Sequence, residues 1–190
     1  KKVTVGINGS PTGGPFPTAT PPKELNWDMW QGQVQPVAYR EKRCHYQFRW
    51  WYEYSGGKFT DWGAHHVDIA QWAIQQNGAG QGPLEIDGRN CKHPVKMKDG
   101  YTQEDDKYNT SHDFSVVCKF PGDIVMDVTS KGRNGVVFEG TKGRIFVSRG
   151  TIQGKPIEEN WDKNDYSQED VDRLYKGKRH EGHKNNFYRC

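Results

Sequence analysis

Asp61, His65 and Asp68 stand at positions i, i+4 and i+7 of the run YSGGKFTDWGAHHVDIAQWA, residues 54–73. On a helix of about 3.6 residues per turn these side chains share one face. An imidazole beside a carboxylate is the pairing with which proteins hold and move protons near neutral pH. Helical residues four apart also serve as zinc ligands, which would recruit Asp61, His65 and His66 to a metal-dependent hydrolase. Adjacent histidines project from different sides of a helix, so no metal is expected. Plainer roles exist too. Asp61 in a first turn would complement the helix dipole, Asp68 would hold a backbone or arginine partner, and Trp72 would pack.

The elements around this run follow from its neighbours. Ser55-Gly56-Gly57 breaks a strand-like aromatic stretch, and apolar residues then recur at helical spacing through Ile69, Trp72 and Ala73, which predicts a helix over 56–75. Gly56 and Gly57, lacking side chains, would let the leading loop approach a ligand or cofactor closely. The stretch from Cys44 to Tyr54, CHYQFRWWYEY, feeds that helix and must pass beside the site. Arg49 there offers a donor, and Trp50 and Tyr52 offer flat faces suited to a polyol. With His66, they are the candidates for substrate contact, against the plainer expectation that at least half of these aromatics pack.

The run SGGKFTDWGAHHVDIAQW resembles the signature helix of the Gfo/Idh/MocA oxidoreductase family, with Gly56, Gly57, Asp61, Gly63, His65 and Asp68 on its pattern and Ser55 in place of a first glycine. ELNWDMWQGQ, RCHYQFRWWYEYSGG, GVVFEGTKGRIFVSRG and HKNNFYRC resemble a bacterial subgroup of the same family. The resemblance implies His65 as acid/base and Asp61 as its partner, NAD or NADP as cofactor, and a sugar or cyclitol as substrate. It implies an N-terminal Rossmann domain that binds the cofactor and supplies a lysine, and a homo-oligomer formed through the sheet. Taking a hydride from a secondary alcohol leaves a carbonyl only if the hydroxyl proton departs too, which a base with a pKa near neutrality accomplishes. Alternatives within and outside the family are nicotinamide-assisted glycoside cleavage and a non-catalytic sugar-binding or dimerisation module.

The chain has 190 residues, enough for one domain with its own core. It opens on Lys1 and a final predicted helix begins at His183, so the reading expects a truncated C-terminal domain over 1–190, inactive alone. Its 27 basic and 24 acidic residues are interspersed, which argues against a nucleic-acid partner. No apolar stretch approaches the length of a membrane span. Cys44, Cys91, Cys118 and Cys190 form neither a zinc-ribbon nor a disulfide pattern, and Cys118 reads as a buried small hydrophobe. The glycines of GAGQG, residues 78–82, have the wrong spacing for a dinucleotide fingerprint and follow a helix.

Period-two patterns predict a strand over 2–7 and another at Leu84 and Ile86. They also predict an antiparallel hairpin from Phe114–Phe120 and Ile124–Val128 around Pro121-Gly122-Asp123, and a second from Val136–Glu139 and Arg144–Ser148. Asn26–Trp30 reads as a short helix, 9–22 as a long proline-rich loop and 150–179 as an irregular excursion. The expected fold is α+β, a mostly antiparallel mixed open sheet covered by helices on one face.

Overall fold

The structure, a computed structural model, describes residues 1–155, 169, 172–173 and 182–189. In chain order it contains β1 (Lys2–Gly6), α1 (Trp27–Gln31), two 3₁₀ segments (Glu41–Arg43 and His45–Trp50) and α2 (Trp62–Ala73). Then come β2 (Glu85–Lys92), β3 (Met97–Lys98), β4 (Tyr101–Thr102), β5 (Asp113–Phe120) and β6 (Ile124–Thr129). They are followed by β7 (Gly135–Gly140), β8 (Gly143–Ser148), β9 (Thr151–Gln153) and α3 (Gly182–Arg189). Seven strands form one sheet in the order β2-β5-β6-β1-β7-β8-β9, while β3 and β4 pair separately. Among the described strands of this sheet, only β1 and β6 run parallel. This is the α+β, mostly antiparallel mixed sheet that the periodicity predicts.

Alternation sorts the strands' side chains onto two faces. Phe114, Val116, Cys118 and Phe120 of β5 lie with Val3 and Val5 of β1, Met126 and Val128 of β6 and Val136 of β7 in the main core. α2 covers this face, burying Ala70 and packing Trp62, Val67 and Ile74 against it. Each fully buried aliphatic or aromatic side chain here contributes about 1.5–3 kcal/mol. The opposite face mixes Lys2, Thr4, Ser115, Val117, Lys119, Val125, Asp127 and Val137, none of them fully buried.

β1 slots between the two predicted hairpins, and the segment from Ser130 to Asn134 crosses its end to join β6 to β7. Gly6 makes room for that crossing, because a Cβ there would collide with the Arg133 carbonyl oxygen.

Three expectations are corrected. The stretch before the glycines is not strand-like but 3₁₀ over His45–Trp50. Three residues per turn bring i and i+3 together, so Gln47 Oε1 accepts from Trp50 Nε1 at 3.0 Å and Arg49 stacks on Tyr46. The helix begins at Trp62 rather than 56, since Gly57 adopts φ +67°, outside helical space, and residues 57–61 are turn. The start of the excursion expected over 150–179 forms β9; residues 156–168, 170–171 and 174–181 lie outside the described residues, as does Cys190.

The short helix α1 is capped by Asn26, whose Oδ1 accepts from the Met29 N–H at 3.0 Å, and Trp27 and Trp30 stack on one side of it with centroids 5.0 Å apart. The loop over 9–22 is pinned. Phe16 packs 4.7 Å from Tyr108, its N–H reaches the Asp106 carbonyl at 2.7 Å, and Tyr108 N–H reaches the Gly13 carbonyl at 3.0 Å. With Trp50, Trp51 and Tyr54 these rings make a second core beneath the 3₁₀ segments. Arg43, with no exposed surface, stacks on Trp51 at 3.9 Å and pairs with Glu53 at 3.2 Å.

Candidate functional site

The turn that launches α2 is held by this chain's own side chains. A Cβ on Gly57 would meet Ser10 Oγ and, at 2.6 Å, Thr110 Oγ1, while one on Gly56 would meet Thr60. Ser10 Oγ also accepts from the Lys58 N–H at 3.0 Å, and Thr60 Oγ1 accepts from the Gly56 N–H at 3.0 Å. On the Cβ side, the close approach that Gly56 and Gly57 permit is to this chain's own side chains.

Asp61 occupies the N-cap of α2 but makes no side-chain capping bond. Its Oδ2 instead receives Arg49 Nη1. The Arg49 guanidinium lies over the Tyr46 ring at 3.7 Å and near the Trp50 ring at 4.5 Å, and its Nε donates to the Tyr46 carbonyl at 3.2 Å. A planar cation flanked by aromatic faces has little freedom, so it fixes the carboxylate it holds. Arg49, expected to touch substrate, is committed to Asp61; its Nη2 is buried without a partner among the described residues.

His65, four residues on, is exposed, and among the described residues its ring has no hydrogen-bond partner. Asp68, one turn further, is also exposed and has no ion pair among them, so the structural partner expected for it is not found there. Trp72, expected to pack, is 60% exposed, since among the described residues α2 is covered on its sheet side alone. His66 turns inward. It is 2% exposed, its Nε2 lies 2.8 Å from Asn134 Oδ1 on the crossover, and its ring lies 5.6 Å from Trp62. His65 and His66 therefore face opposite ways, and among the described residues these two histidines and Asp61 form no ligand cluster. Trp50 is buried, whereas Tyr52 is exposed and stands edge-on to His93 at 6.0 Å.

The sequence reading passed over Lys58 and Arg149. Lys58 Nζ lies 5.3 Å from the Trp62 ring centre and 5.9 Å from that of Trp50, and Arg149 Cζ lies 4.5 Å from Trp62. Lys58 sits inside the glycine-to-aspartate spacing and was open to notice. Arg149 comes from the β8–β9 turn and carries no local signal. Burial pushes the nearby Cys44 thiol and Tyr54 phenol up from their ordinary values, as expected of groups that pack.

Stepping from Asp61 to Trp62 and His65, the site presents an anchored carboxylate, an aromatic face ringed by cations and an open imidazole at one end of α2. No curated protein matches the chain. The family model described as the oxidoreductase family, C-terminal alpha/beta domain, matches residues 15–153, which takes in α1, the 3₁₀ segments, α2 and strands β2 to β9. Members of this family are typically nicotinamide-dependent. The match spans most of the chain, and the chain belongs to the Gfo/Idh/MocA oxidoreductase family as its C-terminal domain.

Proposed function

We propose that this domain is the substrate-binding and catalytic half of a nicotinamide-dependent oxidoreductase acting on a secondary alcohol of a sugar or cyclitol. One observation carries the reading: His65 stands open on the surface of α2 one turn beyond Asp61, and Asp61 is held in place by Arg49. His65 takes the hydroxyl proton as the alcohol carbon becomes a carbonyl, a contribution of roughly a hundred- to ten-thousand-fold in rate. Asp61 balances the imidazolium that results, and Arg49 keeps that carboxylate from swinging into solvent. Trp62 and Tyr52 give the sugar flat apolar surface. The nicotinamide, NAD or NADP, supplies the hydride acceptor when bound, mainly on a Rossmann domain of the same protein, with Gly56 and Gly57 at the turn that would approach it. A second copy of the chain covers the open face of the sheet, where Val117, Val125 and Val137 lie among polar side chains.

The test is nicotinamide reduction by the full-length protein against a panel of sugars and inositols, with His65→Ala in parallel. Turnover should fall by about a hundredfold or more while cofactor affinity is retained. Undiminished turnover in the variant would overturn the role of His65.

A further inference from the structure

Three cations gather where α2 begins, and among the described residues one carboxylate meets them. Arg49 is engaged by Asp61. Lys58 and Arg149 have no carboxylate within 4.0 Å among the described residues. They are nevertheless arranged: both heads lie within 5.3 Å of the centre of the Trp62 ring, one arriving from the turn before α2 and the other from the β8–β9 turn. An indole face attracts cations and supports their aliphatic stems, which fixes the heads without neutralising them. Neither charge is offset by a carboxylate, so each attracts an anion that reaches the rim of this ring. The start of a helix adds its own positive end to the same place.

We propose that the substrate is an anionic carbohydrate, a sugar acid or a sugar phosphate, whose anion is held by Lys58 and Arg149 beside Trp62. This inference rests on the oxidoreductase reading of the same site and names the substrate class within it. Trp62 precedes His65 by three residues, close to one helical turn of about 5.4 Å. The anion orients the ring and His65 meets a hydroxyl on its far side.

The experiment uses the full-length protein loaded with its nicotinamide. Calorimetric binding and initial rates are measured for matched trios: a neutral sugar, the corresponding uronic acid and the corresponding 6-phosphate. The acid and phosphate arms tell the two sources of the anion apart. At least one charged member should bind about tenfold or more tightly than its neutral counterpart, an effect typical of a charge-assisted hydrogen bond. Lys58→Gln and Arg149→Gln should each remove about tenfold of that preference, mainly in KM, while Lys142→Gln on the distant β7–β8 turn should leave it intact. Charged members that bind no better than neutral ones, or a preference untouched by both substitutions, would overturn the inference. His65-dependent turnover without charge preference defeats this inference alone. Nicotinamide reduction that survives His65→Ala defeats the oxidoreductase role instead, and the calorimetric comparison still decides the anion preference.

Discussion

The Arg49–Asp61 pair is the joint on which the geometry of the site turns, and a double-mutant cycle measures it directly. The side chains are 13% and 25% exposed, between the fully solvated pairs that contribute about 0–1 kcal/mol and the buried pairs whose breakage costs about 3–5 kcal/mol. Arg49→Ala removes the charge-assisted bond and two cation–aromatic contacts of about 0.5–1 kcal/mol each at partly exposed sites. A net destabilisation of about 2–4 kcal/mol follows. Asp61→Ala removes only the bond, for about 1–2 kcal/mol. The double variant should be less destabilised than the sum by about 1–2 kcal/mol, read from urea unfolding midpoints at constant slope. Arg49→Lys keeps the charge but not the planar stack, and should recover less than half the loss. In the full-length enzyme, Arg49→Ala should lower kcat by about 10- to 100-fold, because the carboxylate one turn before His65 is then free to swing into solvent. Strict additivity, with coupling below about 0.3 kcal/mol, would refute the anchoring of Asp61 by Arg49.

Two further perturbations probe the frame around the pair. Gly57→Ala forces a side chain into a left-handed residue and against Ser10 and Thr110. It should cost about 2–4 kcal/mol, seen as a drop in Tm of several degrees, and an unshifted Tm would show that the turn yields freely. Asp113, on β5, accepts from Ser130 at 3.0 Å and Lys92 at 3.3 Å, and these bonds, Ser130's first, hold its carboxyl below the usual range. The unfolded chain therefore takes up the proton first as pH falls, so the contribution is present above about pH 4 and is lost on further acidification. Asp113→Asn should flatten the fall of the urea midpoint below about pH 4; an unchanged slope would assign that acid sensitivity elsewhere.

Local pattern alone was enough for the sheet's two hairpins. Phe114–Phe120 and Ile124–Val128, like Val136–Glu139 and Arg144–Ser148, alternate with period two and join through short turns, so each pair needs only neighbours in the chain. The same holds for the existence of α2, which depends on a spacing of about 3.6 residues. Tertiary structure decided the rest. The aromatic stretch 45–50 has the composition of a strand, but among the described residues no strand pairs with it and its Trp50 is drawn into the second core with Phe16 of the 9–22 loop, so it winds as 3₁₀. Where α2 starts depends on Ser10 and Thr110, which crowd Gly57 from remote parts of the chain. Which histidine is open depends on Asn134, delivered by the crossover around β1. Arg149 meets Trp62 only because β8 and β9 carry their turn over the helix end. Each of these contacts joins residues far apart in sequence, so no periodicity encodes it, and it exists only once the strands have taken their order.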